Sequence, residues 1–476
     1  MKMCAVAGWQ FGQMKNVKDS VVEATTKAGE RIEGELVRLG RFDAVWTTSR
    51  CFESLRTSEA LATFKITAEK RLLYEGRASI RKLVDMDTGL LCEVTLDEQG
   101  VNVEMLPPVG VEGLETFYRQ WTETCQVDAS FKLAVADMAA LLGNLQSWMN
   151  LAEVALRALD PAEAQAREQS FLAHVLPRVI ASVYSAHQVF EEQAARVRPE
   201  LRPFYQRHAA LQLGEYFRCA PFGYRTFHKP QGYAGDYEMM NMIHRNAPEG
   251  SSLFARAMHG LLVSQWPAQS VRNRIAHLGE LLMEETARVV RAGRRARVLN
   301  LGCGPAREVE LFMQRSALSD HADFVLLDFN EETLNYTRQR LESVRRASGR
   351  RTGLETRQMS VHQVLRAAMA KTKPGAADMY DLTYCAGLFD YLTDSTCRAI
   401  VKLFCQQTNP GGLTAIANMF DAKPFRHFIE FILDWNLIYR DTRGMWAICP
   451  PEAVARTQVI AEPTGVNLFL QIRQTD

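Results

Sequence analysis

The sequence predicts an α/β fold in the carboxy-terminal half of the chain, with helices between the strands of a parallel sheet. The apolar run 298–301 ends in a Gly-x-Gly turn, Gly302-Cys303-Gly304, and a helical segment follows from about Arg307. A second apolar run, 324–327, follows and ends in Asp328. This order of elements is typical of a site for an adenosine-type cofactor: a strand, a glycine turn, a helix and a second strand that ends in a carboxylate. The carboxylate can accept hydrogen bonds from the two hydroxyls of a ribose.

Two further regions precede this half of the chain. Short, partly alternating segments between residues 31 and 106, separated by turn signals, favour a small antiparallel sheet or barrel. From residue 113 to about 213, apolar residues recur every three or four positions, which indicates amphipathic helices. We therefore expect a β-rich domain over residues 1–108, a helical domain over 109–220 and an α/β domain over 221–476. The sequence leaves open whether the helical domain forms a homodimer interface, a partner-binding module or a cap over the active site.

The α/β domain contains further recognisable elements. A segment rich in aromatic and glycine residues, 222–238, predicts an irregular lid over the cofactor, since backbone polar groups in such a loop must face water or a ligand. A linker held by aromatic packing is the alternative. We predict helices at residues 266–280 and 424–436, and further strands at 355–359, 381–385, 413–418, 457–461 and 466–473.

Composition excludes several classes of protein. The 476 residues carry 56 basic and 55 acidic side chains, so no bulk attraction to nucleic acid is expected. The ten cysteines are scattered without a C-x-x-C pair, which favours reduced thiols over disulfides or a zinc site. The histidines show no ligand spacing, and no metal is expected. No apolar run is long enough for a membrane helix, and we expect a cytoplasmic protein without stable membrane insertion.

The turn Gly302-Cys303-Gly304-Pro305-Ala306 resembles motif I of the class I S-adenosylmethionine (SAM) dependent methyltransferases. Ala306 supplies the small residue of that motif, whereas the bulky Arg307 stands where a dinucleotide fold needs a third glycine. Asn300 stands where the family usually has Glu or Asp, and it can still form hydrogen bonds. The resemblance covers the carboxy-terminal half of the chain and implies a seven-stranded Rossmann-like sheet with SAM as cofactor. It implies cofactor contacts from Asn300, Gly302, Cys303, Gly304, Ala306, Asp328, Phe329, Ser360, Val361, Cys385, Ala386 and Gly387.

A segment that overlaps the lid, residues 228–241, resembles a narrower family, the bacterial 3-hydroxypalmitic acid methyl ester biosynthesis proteins. These proteins make a fatty-acid methyl ester signal for quorum sensing. This resemblance implies a 3-hydroxy fatty acid, free or carried by a protein, whose carboxylate is methylated. A carboxylate is ionised at neutral pH, so the site needs a cation to orient it and an apolar slot, but no general base. The candidate cations are Arg225, Lys229, Arg272 and Arg274, and the apolar slot is expected from residues 424–436 and the helical region.

Two other functions remain open. In the first, the protein is a methyltransferase whose acceptor is an amine or a hydroxyl, and His228, Tyr233 or Asp236 then serves as base. In the second, the protein is not an enzyme, and SAM binding regulates a partner-binding helical module. Tyr391 is expected to face the reaction centre in either methyltransferase.

The β-rich region resembles a PilZ-type barrel. Arg77-x-x-x-Arg81 superficially resembles the nucleotide-binding arginines of that family, but the Asp-x-Ser-x-x-Gly turn that accompanies them is absent from this sequence. We interpret the two arginines as a charged strand edge.

Overall fold

The computed structural model describes residues 20–27, 29–40, 42–48, 55–68, 71–86, 89–97, 127–369, 375 and 378–475; the predicted boundary at residue 108 lies outside them. The described amino-terminal residues form a closed antiparallel barrel with strand order β1-β2-β3-β6-β5-β4, in which β1 and β4 pair to close it. Its strands are β1 (Ser20–Thr26), β2 (Arg31–Leu39), β3 (Asp43–Thr48), β4 (Ala60–Ala68), β5 (Arg71–Met86) and β6 (Gly89–Leu96).

The barrel was predicted from alternation, but its first strand was not. The inward-facing residues of β1 are Ser20, Val22, Ala24 and Thr26, which are small and half polar, so the hydrophobic alternation is weak. The interior is filled by aromatic and aliphatic side chains, among them Trp46 and Phe64, whose rings lie 5.9 Å apart. Arg81 is not a solvent-facing edge residue, because it pairs with Glu93 and donates to Gln206 Oε1 in the helical region.

A helical region follows the barrel. Asp160 caps the second helix by accepting a hydrogen bond from Ala162 N, and Pro161 occupies its first position, two start signals that act together. The helices are α1 (Ala129–Arg157), α2 (Pro161–Ala195), α3 (Arg202–Arg218), α4 (Pro221–His228), α5 (Tyr237–Arg245), α6 (Leu253–Ser264) and α7 (Trp266–Arg291).

Aromatic side chains join these helices to the carboxy-terminal half. The ring of Phe190 on α2 lies 5.5 Å from Phe131 on α1 and 6.2 Å from Phe431. Phe217 on α3 lies 4.8 Å from Phe428. One hydrophobic core therefore spans residue 220, where the sequence predicted a domain boundary.

The carboxy-terminal half contains a seven-stranded sheet with the order β12-β13-β11-β10-β7-β8-β9. The five strands from β11 to β9 in that order are parallel, and β13 pairs antiparallel with both β11 and β12. This is the seven-stranded Rossmann-like sheet that the resemblance to class I methyltransferases implies, and it confirms the two strands predicted near residues 457–461 and 466–473. Its strands are β7 (Ala296–Leu301), β8 (Ala322–Asp328), β9 (Gly353–Gln358), β10 (Tyr380–Cys385), β11 (Thr408–Met419), β12 (Thr457–Ala461) and β13 (Asn467–Arg473).

Helices lie between the strands of this sheet. They are α8 (Arg307–Arg315), α9 (Glu331–Ala347), α10 (Val361–Met369), α11 (Asp394–Gln407), α12 (Arg426–Phe431) and α13 (Thr442–Ala447). Because the strand order reverses at β7, the carboxyl ends of β7 and β10 border a crevice, the usual place for a ligand in such sheets.

Two predicted segments differ in the structure. Residues 222–238 are not irregular throughout, because α4 covers the first part and α5 begins at Tyr237, with a tight turn between them. The predicted helix 424–436 is reduced to α12. That helix ends at Phe431. Three residues later Asp434 has a left-handed φ of +49°, and Asn436 beyond it forms hydrogen bonds with Ser58 of the barrel region.

Candidate active site

A cavity of about 1460 Å³, counting the open space at its mouth, lies at the carboxyl ends of β7, β8 and β10. Its first wall is the turn after β7. Gly302 N and Cys303 N both donate to Leu327 O at the end of β8, at 2.8 and 3.0 Å, which ties the turn to the neighbouring strand. Gly302, Gly304 and Ala306 have positive φ angles of 68°, 51° and 48°. The turn is therefore sharp, and its backbone faces the cavity.

Gly304 leaves room for a ligand. A Cβ atom built on this residue would have no protein atom within 4 Å, although Gly304 lines the cavity. Its backbone N donates to Asp328 Oδ2 at 3.1 Å, so the turn and the acid at the end of β8 form one unit. The turn therefore allows a nucleoside to approach the protein backbone closely at Gly304.

Asp328 is buried, and its carboxylate accepts hydrogen bonds from Gly304 N and, at 3.0 Å, from Asn330 N. Burial raises the pKa of this carboxyl, while those two hydrogen bonds and the charge of Arg56 oppose the rise. Each carboxylate oxygen has a second lone pair, so Asp328 can also accept hydrogen bonds from two ribose hydroxyls.

Asn300 does not line the cavity. Its Nδ2 donates to Glu308 Oε1 at 3.1 Å and to the Tyr384 hydroxyl at 3.0 Å, beneath the turn. Glu308, in the first turn of α8, lines the cavity instead, and it accepts a 2.7 Å hydrogen bond from Tyr384. Burial raises the pKa of Glu308. A carboxyl group thus lines the cavity at residue 308 rather than at residue 300.

Most of the other predicted cofactor residues border the same cavity. Ser360 and Cys385 do not: the Ser360 hydroxyl accepts from Gln363 N at the start of α10, and Cys385 is buried at the end of β10. Burial raises the pKa of the Cys385 thiol to about 12. The predicted residues that line the cavity are Gly302, Cys303, Gly304, Ala306, Asp328, Phe329, Val361, Ala386 and Gly387.

The predicted catalytic residues fall into two groups. Tyr233, Arg274 and Tyr391 line the cavity. His228 lies at the end of α4 with its ring 4.2 Å from that of Tyr224, away from the cavity wall. Asp236 caps α5 and accepts from Arg225 Nε, at 2.8 Å to each oxygen.

The other two candidate cations are also engaged elsewhere. Arg272 donates to Ile243 O and Val263 O, at 3.0 and 2.8 Å, and so joins α5, α6 and α7. Lys229 is buried and pairs with Asp434 at 2.5 Å. Arg274 is therefore the candidate cation, of those that the sequence indicated, that reaches the cavity.

Arg274 is 7% exposed, and burial lowers the pKa of its guanidinium. Its Nη1 lies 4.0 Å from Asp390 Oδ2, and its Nε has no hydrogen-bond partner among the described residues. Gly387 keeps the opposite wall open, since a Cβ there would lie 3.2 Å from Arg274 Nη2. A buried guanidinium with an unused donor is suited to an anionic ligand group.

Two titratable groups beside Arg274 have shifted pKa values. Burial raises the pKa of Asp390 to about 6, although the charge of Arg274 opposes the rise. Burial, together with the charges of Arg274, Arg307 and Arg272, lowers the pKa of His244 to about 4. At neutral pH the cavity therefore holds a neutral imidazole.

The other half of the cavity is apolar. The sequence indicated the contribution of the segment after Phe425 but missed that of α5, where Met240 and His244 share one helix face. It also missed Arg56, which comes from the barrel and which no local pattern marks. The apolar wall is formed by residues of α4 to α7 and by Met419, Phe425, Ile429, Leu433, Trp435 and Leu437.

The described residues contain no group of three or more His, Cys, Asp or Glu side chains placed to hold a metal ion. None of the helices in this described part of the chain combines the length and apolar character that a membrane crossing requires.

No protein-family model and no curated protein matches the chain. Among solved structures, the N-methyltransferase NodS from Bradyrhizobium japonicum WM9, in complex with S-adenosyl-l-homocysteine (SAH), is 13% identical, with a TM-score of 0.27 over 41% of this chain and 88% of NodS. Magnesium protoporphyrin IX methyltransferase from Synechocystis PCC 6803, with bound SAH, is 11% identical, with a TM-score of 0.31 over 49% of this chain and 93% of that chain.

The 1,6-didemethyltoxoflavin-N1-methyltransferase from Burkholderia thailandensis, with bound 1,6-didemethyltoxoflavin and SAH, is 15% identical, with a TM-score of 0.26 over 41% of this chain and 79% of that chain. The strand order of the chain itself defines its fold.

Proposed function

We propose that this protein is a SAM-dependent methyltransferase that methylates the carboxylate of a 3-hydroxy fatty acid, giving a fatty-acid methyl ester signal for quorum sensing. The observation that carries the proposal is the composition of the cavity. One end is formed by the glycine turn and Asp328, and the other is apolar with a buried arginine, Arg274. The first end suits a nucleoside cofactor, and the second suits an acid with an apolar tail.

The cofactor end has the groups that SAM needs. Asp328 has lone pairs for the ribose hydroxyls, and Gly304 leaves space for close approach. Arg307, where a dinucleotide fold has its third glycine, argues against a pyrophosphate. SAM supplies a methyl group on an already activated sulfonium, so the protein has mainly to align the acceptor and exclude water.

The acceptor end needs no base if the acceptor is a carboxylate, since that group is ionised at neutral pH. In the proposed complex the guanidinium of Arg274 donates to the acid and turns one carboxylate oxygen toward the methyl donor. The apolar wall receives the acyl chain and removes it from water, which favours binding by roughly 0.8 kcal/mol per methylene.

His244 supports a second candidate function. Its low pKa keeps the imidazole neutral, so it can accept a hydrogen bond from a hydroxyl acceptor, and the same low pKa makes it a weak base for the proton transfer. In that case His244, rather than His228 or Asp236, is the base, and Tyr233 is unsuited to the role because burial raises its pKa far above neutral. A hydroxyl methyltransferase would give an ether and not an ester.

The cofactor half of the proposal is tested by calorimetric titration with SAH. Asp328→Asn replaces the carboxylate that accepts hydrogen bonds from the ribose hydroxyls by a neutral amide. We expect SAH to bind about tenfold to a hundredfold more weakly. Asp323→Asn, near the other end of β8, is the matched control. Asp323 forms a surface pair with Arg295 and should leave the affinity unchanged. Equal affinities for the two variants and the wild type would contradict the assignment of the cofactor site.

The acceptor half is tested with methyl-labelled SAM and a panel of 3-hydroxy fatty acids, followed by mass spectrometry of the organic extract. We expect a labelled methyl ester, and we expect Arg274→Gln to lower kcat/KM for the acid by about tenfold to a hundredfold without changing SAH affinity. Arg274→Lys should recover part of the loss. SAH binding without any ester would exclude the carboxylate acceptor. A labelled ether would point to His244, and no labelled product from any acceptor would favour a SAM-sensing protein.

A further inference from the structure

The segment Leu55 to Ala60, between β3 and β4 of the barrel, reaches the cavity of the α/β domain. Arg56 and Thr57 line that cavity although they lie more than two hundred residues before β7. The cofactor end therefore has a wall that does not belong to the Rossmann-like sheet.

This segment is fixed by hydrogen bonds on both sides. The Ser58 hydroxyl donates to Asn436 O at 2.7 Å and accepts from Asn436 N at 2.5 Å, and Ser58 N donates to Ile80 O at 2.7 Å in β5. Ala60 N donates to Gly232 O at 2.6 Å in the turn between α4 and α5. The φ of Ser58 is +63°, a left-handed conformation that directs the chain toward the cavity. The position of Arg56 is thus set by the barrel, the lid and the carboxy-terminal half together.

Arg56 contacts the residue that follows Asp328. The carbon of its guanidinium lies 3.9 Å from the centre of the Phe329 ring, a cation–π geometry. Tyr233 packs against the same ring at 5.1 Å. Arg56 is also one of the groups that oppose the rise in the pKa of Asp328 caused by burial. Its side chain is 8% exposed, so this charge acts close to the acid and with little screening.

We propose that Arg56 is a cofactor-positioning residue supplied by the barrel, which holds Phe329 and Asp328 in the geometry that receives the adenosine half of SAM. The inference rests on the proposed function, because it names SAM as the ligand of that end of the cavity. It assigns the barrel a part in building the site, so that the α/β domain alone lacks one wall of its cofactor pocket.

The test is calorimetric titration of the full-length protein with SAH. We expect Arg56→Ala to bind SAH about tenfold more weakly, because Phe329 and Asp328 lose the desolvated cation–π contact that holds them in place. Arg56→Lys keeps the charge but not the planar group that stacks on Phe329, so its affinity should lie between those of Arg56→Ala and the wild type. Arg31→Ala, an exposed arginine of β2 outside the cavity, is the matched control and should bind like the wild type.

A second measurement separates positioning from a general loss of structure. Without Arg56 the pKa of Asp328 rises, so SAH affinity should begin to fall at a higher pH on acidification in Arg56→Ala than in the wild type. Arg56→Lys should follow the wild-type profile. The inference is wrong, and the proposed function stands, if the wild type binds SAH and both Arg56 variants match it in affinity and in pH profile. If the wild type itself does not bind SAH, both are wrong.

Discussion

At the scale of single residues, Asp390 is a buried carboxyl group whose ionisation opposes folding. Burial raises its pKa from an ordinary 3.8 to about 6. Because the folded protein holds this proton more tightly than the unfolded chain does, the stabilisation is complete below pH 4 and is lost as the pH rises through 6. The loss amounts to about 3 kcal/mol.

Asp390→Asn stays neutral at every pH while its Oδ1 can still accept from Met419 N. We expect the free energy of unfolding of the variant, measured in urea, to rise relative to the wild type as the pH increases from 4 to 7. A difference that shrinks over this range would mean that attraction to Arg274 outweighs burial.

Single residues of the site were predictable where the signal is local. The turn at Gly302 and Gly304 and the acid Asp328 lie at the ends of adjacent strands, so their spacing in the sequence carries the geometry. Glu308 was not predictable, because a carboxylate in the first turn of a helix is common for reasons of helix dipole alone. Arg56 has no signal in the sequence, since it reaches Phe329 only through the docking of the barrel.

At the scale of elements, the lid shows why composition misled the sequence-based prediction. Aromatic and glycine residues over 222–238 suggested an irregular loop, yet Pro221 begins α4 and Asp236 caps α5 by accepting from Glu238 N and Met239 N. The start signals of both helices were present in the sequence. The glycines belong to the turn between the helices, where Gly232 and Gly235 have positive φ angles of 94° and 82°.

Gly235 offers a test of this turn. A Cβ there would collide with the hydroxyl of Tyr391, which accepts a 3.0 Å hydrogen bond from Trp435 Nε1 at the cavity wall. We expect Gly235→Ala to displace Tyr391 and to lower methyl transfer by about tenfold, as small misplacements in active sites do.

Gly293→Ala is the control for backbone strain alone. Its φ of +74° is similar, but a Cβ there meets no atom within 4 Å. Gly293→Ala should lose about 1 kcal/mol in thermal unfolding from backbone strain and keep full activity, whereas Gly235→Ala should lose more because of the collision with Tyr391. Equal activities in a methyl-transfer assay would show that Tyr391 does not need its observed position.

At the scale of the whole molecule, the strands of the sheet and the existence of the barrel followed from patterns within each segment, and the arrangement of the sheet followed from the resemblance to class I methyltransferases. The packing of barrel and sheet against each other followed from neither. The contacts between the barrel and the rest of the chain join residues far apart in sequence, such as Arg81 and Gln206, 125 positions apart, and Ser58 and Asn436, 378 positions apart. No periodicity encodes such pairs. Dimerisation through the helical region stays a prediction.

Lys229 joins three parts of the molecule. Its Nζ pairs with Asp434 and lies 3.4 Å from Ser79 Oγ of the barrel. Lys229→Met should lower the free energy of unfolding by about 3 kcal/mol, because it leaves the mostly buried Asp434 without its cation and, among the described residues, with only the amide of Asn436 as a hydrogen-bond donor. The double variant Lys229→Met, Asp434→Asn should recover much of that loss in urea denaturation.

Arg295→Met provides the comparison for this prediction. Arg295 pairs with Asp323 at 2.7 Å, but both side chains are more than two-fifths exposed, so we expect a change below about 1 kcal/mol. A similar loss for Lys229→Met and Arg295→Met would contradict the role of the buried pair.

The hydrogen bonds between Ser58 and Asn436 have a consequence for the folding of the protein during its synthesis on the ribosome. A nascent chain grows by roughly 5 to 20 residues per second, so Ser58 waits about 20 to 75 s before the 378 residues up to its partner have been made. During that interval Ile80 and Gly232 become available to the segment that carries Arg56, but its two hydrogen bonds with Asn436 cannot form. The wall that Arg56 contributes is therefore fixed only after Asn436 has been made, and a chain that terminates before this residue lacks one of the anchors of the cofactor pocket.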